Sequence, residues 1–218
     1  TSPDDYAMQT QALLRCLELA RHLPEFFPLA INGAFFGNRG ATPVQQLAYS
    51  LSIAASFLDN LTAHDLDLDA TAVASSIHFH LSVGPSYFTE IAKLRALRRL
   101  WATVLHAFGV RPEVAATLRI HATTSSWTQT TLDPHTNLLR HTTEAMSAVL
   151  GGADSVSVTP YDSLYAAPNE FSARIARNIP VILREEAYLD RVADPAAGSY
   201  FIETLTDQLA REAWALFQ

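Results

Sequence analysis

"HATTSSWTQTTLDPHTNLLRHTTEAMSAVLGGADSVSV", residues 121–158, decides how this chain folds. It reads as a strand end, a polar loop, a long helix stopped by Gly151 and Gly152, and a second strand. A crossover of this length forces the two strands to run parallel. The stretch from His121 to Thr136 holds two histidines, eight serines or threonines and a tryptophan. Such a set of groups can line an active site or form the shell around one.

The same unit recurs on either side. Upstream, "SIHFHLSVG" (residues 76–84) reads as a strand feeding the helix "YFTEIAKLRALRRLWATVLHAFG" (87–109). Ser86 stands as that helix's cap, and Ile91, Leu94, Leu97, Trp101, Val104 and Phe108 mark its core face. Earlier, "LAING" (29–33) reads as a buried strand before the helix "GATPVQQLAYSLSIAASFLDNL" (40–61), with Thr42 as N-cap and Pro43 at the first helical position. Four strands are predicted, near residues 29–33, 77–83, 117–122 and 154–159. The last is followed by the helix "EFSARIARNIPVILREEAYL" (170–189), the loop "RVADPAAGS" (191–199) and a further helical pattern through Ile202, Leu205, Leu209, Ala213 and Leu216. An opening helix with Ala12, Leu13, Cys16, Leu17, Ala20 and Leu23 on one face breaks at Pro24 to Pro28. The acidic stretch "HDLDLDATAVASS" (64–76) is ambiguous, with one more turn of helix.

Consecutive βα units define an α/β fold with parallel pairing. A full (β/α)8 TIM-type barrel needs roughly 250 residues, so four units amount to about half of one. Alternation alone does not separate half a barrel from a doubly wound open sheet. No G-x-G-x-x-G follows a strand, which removes the main dinucleotide cue.

Composition narrows the function classes. The chain has 218 residues, 49% of them apolar and 17% charged, so a sizeable core is available and neighbours are expected over part of the surface. A net charge of −7 with 15 Lys plus Arg argues against a general nucleic-acid binder. The single cysteine, Cys16, forms no internal disulfide, and a reducing cytoplasm is the default location. No apolar run reaches membrane-spanning length, and no signal peptide is read. Both ends read as cut, with no initiating methionine and a last helix that no Gly or Pro stops.

Several residue groups invite chemistry. His78 and His80 lie two apart on one strand face and, with His121 and Asp194, could be drafted as the metal ligands of a barrel hydrolase. The plainer reading is polar residues on a strand face. The basic run from Lys93 to Arg99 could meet phosphates, but such runs are more often solvated or ion-paired. "REE" (184–186) is more often a helix surface than an acid/base pair. The loop Thr123 to Thr131 follows a strand, where barrels place their sites, and is the best ligand-facing candidate.

"YFTEIAKLRALRRLW" (87–101), "RIHATTSSWTQTTLDPHTNLLRHTTEAMSAVLGGADSVSV" (119–158), "EFSARIARN" (170–178) and "DPAAGSYFIETLT" (194–206) together resemble the acyl-CoA-binding barrel of methylmalonyl-CoA mutase. The resemblance runs from about Leu29 to Gln218 and is weakest over residues 59–76. It is closest to the family's small, non-catalytic subunit. The large subunit has Gln-Thr-Ser-Gly where this chain has Thr123-Thr124-Ser125-Ser126, and His-Thr where it has Ser157-Val158.

The resemblance carries expectations. The family's barrel wraps an acyl-CoA and closes over adenosylcobalamin held by a separate C-terminal domain, and the complex interconverts methylmalonyl-CoA and succinyl-CoA. The cobalt-ligating Asp-x-His-x-x-Gly string is absent here, so no cobalamin is expected on this chain alone. Arg119, His121, Ser125 and Glu186 fall on positions near substrate or cofactor, as vestigial binding residues. Aligned on Gly33 and on Gly40-Ala41-Thr42, the family's catalytic tyrosine and histidine fall on Ala34 and Phe35, so no catalytic residue remains. Residues 1–218 would form a partial barrel, with 202–218 starting a linker helix toward a further domain. The expected partner is a large catalytic subunit, with self-association through open barrel edges as a second contact. A fragment of a catalytic mutase subunit is the alternative.

Overall fold

The computed structural model describes residues 3–20, 22–23, 26–63, 69–167 and 169–218. In chain order the elements are α1 (Pro3–Ala20), β1 (Leu29–Asn32), α2 (Ala34–Gly37), α3 (Pro43–Ala63), α4 (Ala70–Ser76), β2 (Ile77–Val83), α5 (Tyr87–Ala107), α6 (Pro112–Ala116), β3 (Arg119–Thr124), α7 (Thr136–Leu150), β4 (Ser155–Ser157), α8 (Glu170–Glu185) and α9 (Tyr200–Phe217). The strands form one sheet in the order β1-β2-β3-β4, and every neighbouring pair is parallel. Sequence order without reversal is the winding of a barrel wall. A doubly wound sheet would reverse at a switch point. The fold is therefore α/β, a four-stranded half of a TIM-type barrel.

Local signals account for most boundaries. Thr42 and Gln45 close a reciprocal capping box: Thr42 Oγ1 accepts from Gln45 N at 3.3 Å, and Gln45 Oε1 accepts from Thr42 N at 3.0 Å. α7 ends in a Schellman motif, with Gly152 at φ +82° and Ala153 N donating to Ala148 O at 3.0 Å. Other boundaries differ from expectation. The short helices α2 and α6 span too few residues to show a period. The second takes Thr117 as its C-cap, so β3 begins at Arg119 rather than at 117. Ser86 sits at the N-cap of α5 without a side-chain bond. α1 ends at Ala20, and its packed positions include Leu17 and Ala20 while Cys16 is exposed. The predicted break at Pro24 and the acidic run 64–68 fall outside the described residues, whereas residues 70–76 form the extra helix.

Period-two alternation divides the sheet into two unlike faces. Leu29, Ile31, Ile77, Phe79, Leu81, Ile120 and Ala122 point to the helices and are buried. They pack with Leu47, Leu51 and Leu58 of α3 and Leu94, Leu97 and Trp101 of α5. The Trp101 and Phe79 rings meet edge to face at 5.2 Å. The opposite face carries rows set by the register: Ala30, His78 and Arg119; then Asn32, His80, His121 and Ser155; then Ser82, Thr123 and Ser157. Interiors of closed barrels are dominated by Val, Ile and Leu, so this inner wall is polar by sequence.

The basic run of α5 is an ion-paired surface. Arg95 binds Asp194 at 3.0 Å and Glu203 at 2.8 Å, Arg98 binds Asp154 at 2.9 Å, and Arg99 binds Asp207 at 2.9 Å. The Arg95 and Arg99 pairs fasten the 191–199 loop and α9 onto α5, the Arg98 pair ties α5 to the start of β4, and α9 also covers α3. Lys93 differs from its neighbours. It is buried, pairs with Glu90 and donates to Ser82 O at 2.6 Å.

Gln46 ties the first two strand ends together, donating to Gly33 O at 3.2 Å and to Ser82 Oγ at 2.7 Å. Its amide occupies the space beside Gly37, where a Cβ would overlap both Gln46 Nε2 and Ser82 Oγ. Gly37→Ala should therefore destabilise the fold by about 1–3 kcal/mol, read as a lower urea midpoint. An unchanged midpoint would contradict this packing.

Candidate functional site

The polar loop after β3 turns its groups inward. Asn137, His141 and Glu144 stand at i, i+4 and i+7 on α7, so they share one helix face, and each is at most 1% exposed. Each takes one consecutive loop residue. Asn137 Oδ1 accepts from Thr130 N at 3.0 Å, and its Nδ2 donates to Thr130 O at 2.9 Å. Gln129 Nε2 lies 3.1 Å from His141 Nε2. Thr128 Oγ1 donates to Glu144 Oε1 at 3.3 Å. The start of the loop is held from β1's side: Asn38 Oδ1 accepts from Ser125 Oγ at 3.2 Å and Ser126 N at 3.0 Å. Thr124 Oγ1 accepts from Thr159 N at 2.8 Å, which fixes the exit of β4.

This stripe went unread in the sequence, although its spacing was visible there. Three polar residues at helical period beside an apolar face signal a buried grip as much as a solvated side. The loop is thus a shell, with the Ser125, Thr128 and Thr130 hydroxyls and the Gln129 amide spent on its own support. Trp127 stands out from it, 63% exposed and lying over Gly40.

Burial sets the protonation of the stripe. It pushes the Glu144 carboxyl up to about 7; the Thr128 hydrogen bond opposes the rise and the nearby Glu90 carboxylate adds to it. Burial pulls His141 down to about 4. Glu144 therefore holds a proton over much of the range where a surface carboxyl is charged, and His141 is neutral there.

The inner wall gathers His78, His80 and His121. The His80 and His121 rings lie 4.9 Å apart, and His121 Nδ1 is 2.7 Å from Ser155 Oγ. All three titrate below the ordinary histidine range, chiefly through burial, with mutual repulsion adding for His80 and His121. Near the amino ends of the strands a cavity of about 520 Å³ is lined by Phe26, Phe27, His78, Arg119, His121, Asp154 and Ser155. Arg119 there binds Asp154 at 3.2 Å.

The metal set drafted from sequence does not come together. Asp194 is bound to Arg95 on the helix layer, whereas the histidines line the opposite sheet face. Among the described residues no group of three or more His, Cys, Asp or Glu side chains is arranged to hold a metal.

The four positions that the resemblance singles out for binding are also spread out. Arg119 opens β3, His121 lies within it, and Ser125 follows its far end. At about 3.3 Å per residue, Arg119 and Ser125 are roughly 20 Å apart. Glu186 is exposed at the C-cap of α8, and no hydrogen bond or ion pair joins it to the other three. Arg184 pairs with Glu185, so "REE" is a helix surface.

At the carboxyl end of β1, Ala34 is buried at the start of α2. Phe35 lies beneath Arg39, whose guanidinium carbon is 3.6 Å from the ring centre. Neither side chain offers a hydrogen-bond donor. No described helix is long and apolar enough to cross a membrane.

Comparison with known proteins agrees with this architecture. A sequence model described as methylmalonyl-CoA mutase matches residues 7–218. The methylmalonyl-CoA mutase small subunit of Porphyromonas gingivalis is 45% identical over 205 residues, covering 94% of this chain and 33% of the relative. The same organism's large subunit is 37% identical over 199 residues, 91% of this chain and 28% of the relative. The Escherichia coli methylmalonyl-CoA mutase is 39% identical over 197 residues, 90% and 27% respectively. The chain thus spans about a third or less of these relatives. The barrel-wall winding and a match over nearly its whole length agree: the chain belongs to the methylmalonyl-CoA mutase family.

Proposed function

We propose that the chain is part of a small, non-catalytic mutase subunit, supporting a large subunit that carries out the interconversion of methylmalonyl-CoA and succinyl-CoA. One observation carries the reading. At the carboxyl end of β1, where resemblance to the family's strand-end segment over Gly33 and Gly40-Ala41-Thr42 implies a tyrosine and a histidine, stand the donorless Ala34 and Phe35. The inherited polar positions are committed elsewhere: Arg119 to Asp154, His121 to Ser155 and Ser125 to Asn38. They hold the wall.

The family is cobalamin-dependent, and the described residues at this rim supply no cobalt ligand. At the carboxyl end of the sheet, His141 is buried against Gln129 and His135 stacks on Tyr161 with ring centres 5.3 Å apart. Neither imidazole is presented as a cobalt ligand, and the sequence has no Asp-x-His-x-x-Gly. No step is assigned to cobalamin on this chain.

Among the described residues β1 and β4 each pair on one side only, and parallel strands with bare edges recruit partners. Co-expressed with a large subunit of the family, the chain should co-purify with it through size exclusion. Quantitative elution of the chain apart from that subunit would overturn the pairing.

A further inference from the structure

We propose that the two loops at the carboxyl rim, 125–135 after β3 and 159–167 after β4, open and close as one unit geared through α7, so that a contact made on one loop is felt by the other. Asn137 is the main joint. It is fully buried, and its Nδ2 donates both to Thr130 O of the first loop at 2.9 Å and to Tyr161 O of the second at 3.1 Å. Its Oδ1 accepts from Thr130 N and from Arg140 Nη1, each at 3.0 Å. Gln129 is the second joint. Its Nε2 lies 3.1 Å from His141 Nε2, and its Oε1 accepts from Ser163 Oγ of the second loop at 3.2 Å. The His135 ring, at the end of the first loop, stacks on Tyr161 with ring centres 5.3 Å apart. At the strand ends Thr159 N donates to Thr124 Oγ1 at 2.8 Å, and Thr159 Oγ1 donates to Thr124 O at 3.2 Å.

Shared contacts make the two openings cooperative. When the first loop leaves α7, the Gln129–Ser163 bond and the His135–Tyr161 stack go with it. The second loop then has fewer contacts left to break, and the reverse holds equally. Both loops lie beyond the strands, which end at Thr124 and Ser157. Within the second loop the backbone bonds are those of a turn, with Tyr165 N and Ala166 N both donating to Asp162 O. Each loop also presents apolar side chains to solvent: Trp127 and Leu132 on the first, Leu164 and Tyr165 on the second. A contact that orders Tyr165 therefore orders Trp127 without touching it. The loops stand at the carboxyl ends of the strands, the rim where barrels build their sites.

Native-state amide exchange on the whole chain tests the gearing. Thr130 N reports the first loop through its bond to Asn137, and Ala166 N reports the second. In the wild type their protections, corrected for intrinsic rate, should agree within about fivefold and fall with one slope as urea is added. Thr128→Val removes a bond that only the first loop makes, the one to Glu144. It should lower both protections by the same factor, about fivefold, the worth of one net hydrogen bond. Ala166 protection left unchanged by the variant would overturn the gearing, and so would a wider gap between the two amides in the wild type. Should Thr128→Val fail to fold, the wild-type urea slopes decide: equal slopes support a single opening, and different slopes rule it out.

Discussion

Supplied with adenosylcobalamin and methylmalonyl-CoA, the chain alone should give no measurable turnover, at least about 10⁴-fold below a catalytic relative. Each polarising donor lost from a reacting carbonyl costs on the order of 10² to 10³ in rate. Two are missing. Ala34 has no polar side-chain atom, and Phe35 is held as a ring under Arg39, with Asn32 Oδ1 accepting from its backbone N at 3.2 Å. Histidines elsewhere on the wall do not stand in for them. His121 is engaged with Ser155, and His78 and His80 lie within β2, short of its carboxyl end. The check is succinyl-CoA formation by the purified chain across a range of cofactor concentrations. Turnover within tenfold of a catalytic relative would contradict the assignment.

Replacing Lys93 by methionine should cost about 3–5 kcal/mol of stability. Lys93 and Glu90 are 2% and 6% exposed. Removing the ammonium leaves a buried carboxylate without its partner and takes the donor from Ser82 O. The deficit should grow with pH. Glu144 ionises near 7 beside the carboxylate left without its partner, which adds like charge to the pocket. For Glu144 the sign is set by a folded-state midpoint raised above the unfolded one. Its contribution is complete below about 4.5 and lost as pH climbs through 7. Urea melts of Lys93→Met at pH 5 and pH 8 read both effects. Adding Glu90→Leu should recover most of the loss at pH 8. A single variant within 1 kcal/mol of wild type would show that the pair is not desolvated.

The barrel wall was legible in the sequence because its signals are local. Thr42-Pro43-Val44-Gln45 carries its own cap, Gly151-Gly152 its own stop, and the strand between His78 and Val83 its own alternation. The errors came where neighbours decide. α2 and α6 are single turns held between strand and helix, and Leu118 was drawn into β3 by its apolar character although it follows α6.

The site was less legible, since its meaning lies in pairings across the chain. The loop's polar groups looked ligand-facing, and only their bonds to α7 reveal a shell. Lys93 sits among surface arginines in the sequence, yet helical geometry turns it under the strand end. Asp194 looked available to the histidines until Arg95 claimed it.

On the proposed reading this chain supports a mutase without touching its chemistry. The most direct measurement is turnover by a large subunit assembled with wild-type chain, with Arg119→Ala or with His121→Ala, each complex confirmed by size exclusion. Rates within about twofold of one another are expected, because both residues serve the wall of their own half-barrel. A fall of tenfold or more in kcat, with the complex intact, would place these residues in the reaction and contradict it.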